Sequence, residues 1–123
     1  MLSKAEIKRL SRYKQSKFRN QDNLFVVEGE KMLSELLESE YDIQAIYAIG
    51  QWIEKNKAII QTKDIANRTI EISEDDLERI SLLSTPNQVY SLVKIPQEEI
   101  SKQQKGLTIV LDGIKDPGNL GTI

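Results

Sequence analysis

Leu24-Phe25-Val26-Val27-Glu28-Gly29-Glu30-Lys31-Met32-Leu33-Ser34-Glu35-Leu36-Leu37 decides the fold class of this chain. Four β-forming residues end at Glu28-Gly29, where a glycine permits a tight bend. A helical stripe of Met32, Leu33, Leu36 and Leu37 follows over residues 30–39. Beyond it, residues 43–49 read as a second strand, with Ile43, Ala45 and Tyr47 on one side and Ile46 and Ala48 on the other. Residues 51–60 look helical, with Trp52, Ile53, Ile59 and Ile60 as core candidates. Thr69-Ile70-Glu71-Ile72 is a short third strand. Ser73 then caps a helix that opens on Glu74-Asp75-Asp76, a favourable charge for a helix N-terminus. Leu77, Ile80 and Leu83 face inward from that helix. Thr85-Pro86-Asn87 makes a loop, and residues 89–95 form a fourth strand. Alternating strands and helices predict an α/β layered domain over residues 21–95.

Upstream, Leu2-Ser3-Lys4-Ala5-Glu6-Ile7 reads as a helix start: Ser3 caps, Glu6 closes the capping box, and Leu2 and Ile7 occupy the staple positions. A single helix over residues 1–20 would put Ile7, Leu10 and Lys14 on one face and Lys8, Arg9 and Arg12 on the other. Gln21-Asp22-Asn23 ends it. Residues 1–20 hold seven cations (Lys4, Lys8, Arg9, Arg12, Lys14, Lys17 and Arg19) against Glu6 alone, although the formal net charge of the whole chain is −2. A basic arm on an acidic body is a nucleic-acid footprint. Tyr13-Lys14-Gln15-Ser16-Lys17-Phe18-Arg19 interleaves cations with aromatics, which suits phosphate contact and base stacking. Lys8, Arg9, Arg12, Lys14, Lys17 and Arg19 are therefore the candidate nucleic-acid-binding residues, with Phe18 assigned to the core.

Downstream, residues 96–106 are polar and read as a linker. Leu107-Thr108-Ile109-Val110-Leu111 is a continuous apolar run of the kind buried on both faces of a parallel sheet. It enters Asp112-Gly113-Ile114-Lys115-Asp116-Pro117-Gly118-Asn119-Leu120-Gly121. Gly113 and Gly118 are spaced as in a phosphate loop but lack its Lys-Ser/Thr.

Composition closes several doors. With 36 of 123 residues Leu, Ile, Val or Phe, the chain can build a core. It contains no His and no Cys, so Ser–His or Cys–His nucleophile pairs and imidazole or thiolate metal sites are excluded. No apolar run approaches the ~20 residues of a membrane span, and the N-terminus lacks a signal-peptide core. The expected location is the cytoplasm.

The strand followed by Asp116-Pro117-Gly118-Asn119-Leu120-Gly121 resembles the first signature motif of the SpoU (TrmH-like) RNA ribose 2′-O-methyltransferases of the SPOUT superfamily. Phe25-Val26-Val27-Glu28-Gly29 resembles that family's Phe-x-x-Glu-Gly landmark, and Thr85-Pro86-Asn87-Gln88-Val89 its Thr-Pro-x-x-Val loop. The resemblance implies a three-layer α/β/α substrate-binding domain, shared with ribosomal and kink-turn-binding proteins, preceded by the basic helix. It implies that Asn119 is the motif asparagine that positions catalytic groups or substrate, and that residues 107–123 open a methyltransferase domain. The family's Arg partner would fall two residues past Ile123, and the motifs that hold S-adenosylmethionine are absent. The expectation is a ribosomal- or transfer-RNA-binding part of a homodimeric, S-adenosylmethionine-dependent parent enzyme. The piece itself should bind no methyl donor or metal, show no activity, and exist as a monomer or a strand-exchanged dimer. Leu107–Leu111 should then be disordered, packed opportunistically or exchanged. The competing readings are a free-standing ribosomal-protein-like RNA adaptor and a protein-interaction module with a basic arm. Glu28 is expected to satisfy helix N-terminal donors, the alternative being a contact to RNA.

Overall fold

The computed structural model describes residues 1–97 and 106–122. Its centre is a four-stranded mixed sheet in the order β1-β4-β2-β3. The strands are β1 (Leu24–Glu28), β2 (Ile43–Ala48), β3 (Thr69–Glu71) and β4 (Val89–Lys94). β4 runs antiparallel to both of its neighbours, and β3 is parallel to β2. The carboxyl ends of β1, β2 and β3 therefore lie at one edge of the sheet, where β4 begins.

Helix α1 is Lys4–Ser11, α2 Ser16–Gln21 and α3 Glu30–Glu38. After β2 come α4 (Gly50–Lys55) and α5 (Lys57–Thr62), then α6 (Glu74–Ile80) before β4 and α7 (Pro117–Thr122) near the end. β4 is buried at five consecutive positions, Val89 to Val93. Successive side chains point to opposite faces, so both faces of the sheet are covered. Glu28, Tyr90 and Tyr47 are register partners on one face, and the Tyr47 and Tyr90 rings meet edge to face at 6.1 Å. α1 lies over this face, since the Arg9 guanidinium donates to the Tyr47 hydroxyl. α6 packs beside it: the Leu2 N–H donates to the buried Asp76 carboxylate at 2.9 Å, and the Ser11 hydroxyl to the Arg79 carbonyl. On the other face Phe25 meets Tyr41, which follows α3, at 5.7 Å. Leu33, Leu36 and Leu37 of α3 join Trp52 and Ile60 in the core.

Several expectations are corrected. The N-terminal segment is not one helix. α1 ends at Ser11, a 3₁₀ turn spans Arg12–Lys14, and Gln15 is extended before α2. This break drops Tyr13 into the core, and its burial outweighs the continuity of the helical pattern. The 51–60 helix is two short helices meeting at Asn56, whose side-chain amide donates to the Trp52 carbonyl and competes with the helix ladder. Met32 and Leu83 are exposed rather than inward-facing. Leu107–Leu111, expected to lack its sheet, forms no strand, and its side chains face solvent, Leu107 being 92% exposed. A strand needs a neighbour to take its backbone hydrogen bonds, and no strand among the described residues pairs with this run. Most of the expected 96–106 linker lies outside the described residues.

Candidate nucleic-acid interface

The arm is anchored before it is available. The Ser3 hydroxyl accepts from the Glu6 N–H, and the Glu6 carboxylate accepts from the Ser3 N–H, so the capping box closes as its sequence predicts. The Ser3 hydroxyl also donates to the Glu6 carboxylate at 2.7 Å, and this bond, followed by that from the Ser3 N–H, lowers the Glu6 pKa. At the elbow between α1 and α2 one Asp22 oxygen accepts the Tyr13 hydroxyl at 2.7 Å and the Arg12 guanidinium at 2.9 Å. Tyr13 and then Arg12 lower the Asp22 pKa. Burial, followed by the Asp22 contact, raises that of Tyr13.

The six candidate cations thus fall into two groups. Arg9 is bonded to Tyr47, Arg12 to Asp22, and Arg19 to the Tyr13 carbonyl at 2.6 Å. Arg12 also lies over the Tyr13 and Phe18 rings at 5.8 and 5.5 Å, and Lys17 over Phe18 at 5.7 Å. Lys8 and Lys14 are exposed and enter no ion pair among the described residues. Arg12 and Arg19 hold the elbow together and Arg9 ties α1 to the sheet, whereas Lys8 and Lys14 have no such duty. Tyr13 is buried, and half-buried Phe18 packs against the core with the exposed Arg12 and Lys17 over its ring.

A second feature emerges only from the folded chain. Two quoted motifs, 60 residues apart in sequence, meet at the carboxyl edge of the sheet, where the antiparallel pairing of β1 with β4 brings them together. The Gly29 N–H donates to the Val89 carbonyl at 3.2 Å, and the Ile49 N–H to the Gln88 carbonyl at 3.1 Å. Gly29 has φ +95, and a Cβ there would stand 3.2 Å from the Asn87 amide nitrogen. Glycine is needed on both counts. A polar crevice results, lined by Gly29, Lys31, Gln51, Lys55, Asn87 and Gln88 among others. Lys55 is paired with Glu30 at 3.3 Å. Crevices outside strand carboxyl ends are where open α/β sheets bind ligands. Gln51, Lys31 and Lys55 carried no signal in the sequence, because the order β1-β4-β2-β3 had to be known first.

Glu28, at the crevice wall, does not cap a helix N-terminus as expected. It accepts from the Ser81 hydroxyl and the Leu82 N–H, just past the end of α6. Asn119 lies on α7, exposed and remote in sequence from both features. Asp116 caps that helix by accepting the Gly118 N–H at 2.9 Å, with Pro117 at the first helical position. Among the described residues no cluster of acidic side chains could hold a metal, and no helix is long and apolar enough to cross a membrane.

Known proteins give these features a context. The chain is 27% identical over 107 residues, 87% of its length, to the 23S rRNA (guanosine(2553)-2′-O)-methyltransferase RlmP of Bacillus subtilis. A TrmH-family RNA methyltransferase structure from Porphyromonas gingivalis covers 99% of the chain with TM-score 0.70 and 31% identity. An AdoMet-bound rRNA methyltransferase from Sinorhizobium meliloti shares the fold over 80% of the chain, with TM-score 0.62 and 18% identity. The chain spans 40, 46 and 36% of these three proteins, respectively. Residues 4–91 match the MRM3-like substrate binding domain, and the chain belongs to that family.

Proposed function

We propose that this chain is the RNA-gripping part of an S-adenosylmethionine-dependent SpoU-type ribose 2′-O-methyltransferase acting on ribosomal RNA. The observation that carries this reading is the segregation of charge: seven cations against one acid in residues 1–20, on a chain of net charge −2. The exposed lysines of the arm contact phosphates. The crevice, where Glu28, Glu30 and the two lysines offset one another, reads base edges through the amides of Gln51, Asn87 and Gln88. Two covered sheet faces agree with the layered architecture of kink-turn-binding ribosomal proteins, and we assign the domain to that type.

Residues 107–123 open the catalytic domain, with Asn119 as its first active-site residue. Relatives more than twice as long support this division. The methyl donor would be held by residues other than those described here, so the chain alone neither binds S-adenosylmethionine nor transfers methyl groups. The parent works as a homodimer through its catalytic part, in the compartment that holds its ribosomes.

The test is an anisotropy titration of a 23S rRNA transcript spanning guanosine 2553, with a transfer RNA as comparator, at several salt concentrations. Wild-type chain should bind the ribosomal transcript with a negative salt slope. Reversal of Lys8 and Lys14 to Glu should weaken it, and S-adenosylmethionine should give no heat in calorimetry. Equal affinity after charge reversal removes the arm from the interface.

A further inference from the structure

Glu28 is the last residue of β1 and stands opposite Tyr90 in the sheet register. Both of its carboxylate oxygens are engaged 53 and 54 residues further along the chain. One accepts the Ser81 hydroxyl at 2.8 Å and the other the Leu82 N–H at 2.9 Å. The Ser81 oxygen accepts in turn from the Leu83 N–H at 3.0 Å. Ser81 is only 4% exposed, whereas Leu82 and Leu83 are exposed. This loop is therefore held by hydrogen bonds and not by packing of its own side chains. Its far end is tied through the carbonyls of Gln88 and Val89 to Ile49 and Gly29. Between the two ties lie the residues that present Asn87 beside Gly29.

We propose that Glu28 is a positioning residue: its carboxylate pins the 81–88 loop to β1, so that Asn87 and Gln88 meet RNA already aligned. This rests on the crevice being an RNA-contact surface. An acid at the rim of an RNA site would otherwise be expected to repel phosphate, and its neutralisation to tighten binding. A carboxylate acting through Ser81 makes the opposite prediction, because a loosened loop must be re-ordered at the moment of binding.

The experiment uses the full chain and the 23S rRNA transcript named above. Glu28→Gln should weaken binding by roughly tenfold, the scale of one hydrogen bond to a charged group. The salt slope should stay as in the wild type, since no contact to phosphate is lost. Ser81→Ala, a milder change for folding, should weaken binding in the same direction, and the double variant should be no worse than Glu28→Gln alone. Hydrogen exchange of the Leu82 and Leu83 amides should accelerate in both variants while α1 amides stay protected. Unchanged or tighter binding by Glu28→Gln, or additive losses in the double variant, overturns the proposal. Asn87→Ala separates the two levels. If it leaves affinity intact, the crevice reading falls and the positioning role with it. If it weakens binding while Glu28→Gln does not, the crevice stands and only the positioning role falls.

Discussion

Tyr90 is wholly buried, yet its hydroxyl has no hydrogen-bond partner among the described residues. A buried hydroxyl left unpaired costs stability, so Tyr90→Phe should keep the ring packing and raise stability by about 1 kcal/mol in chemical denaturation. A loss of that size would mean the hydroxyl is satisfied after all. Burial, with Glu28 close by, pushes the Tyr90 pKa well above the ordinary tyrosine value. The neutral phenol's stabilising share is complete below pH ~10 and disappears as pH climbs above it. Stability of the wild type should therefore fall in that alkaline range more steeply than that of Tyr90→Phe. Gly29 makes the reverse case. At φ +95 and against Asn87, an alanine meets both backbone strain and a crowded amide, so Gly29→Ala should cost about 1–3 kcal/mol in thermal denaturation.

Among the elements, the N-terminal pair of helices divides its cations between two settings. Arg12 and Arg19 hold the elbow through Asp22 and Tyr13, while Lys8 and Lys14 point only to solvent. Arg12→Gln should lower both the melting temperature and RNA affinity. Lys8→Gln with Lys14→Gln should leave melting alone and flatten the salt slope by about 1.4, at roughly 0.7 per phosphate. A slope unchanged by the lysine pair would put the phosphates elsewhere. The Asp22 tie should persist to low pH: its carboxyl is lowered, so the stabilisation is present above the usual carboxylate range and lost as pH falls through the lowered pKa. Local signals were readable at this scale. Ser3 with Glu6 and Ser73 with Asp76 cap as their spacing says, and β1, α3, β2 and β4 fall within a residue or so of expectation. What could not be read was the kink at Arg12–Gln15. Nothing local distinguishes a Tyr13 that stacks on RNA from one that the sheet pulls inward.

For the whole molecule, the unread part was the sheet order. Strand patterns identify strands but not their neighbours, so the crevice motifs stood as two separate turns until β4 was found between β1 and β2. The same order has a consequence for the chain's birth. Every strand but β3 completes its pairing only with the last one in sequence, and Leu24 finds its partner at Lys94. Such distant pairings are slow to close. A nascent chain halted at residue 88 should show no cooperative melting, whereas one extended to residue 97 should. On a translating ribosome, α3 and α6 would wait as unsupported helices, open to chaperones, until the sixth and final residue of β4 clears the exit tunnel and locks the layer shut from its middle.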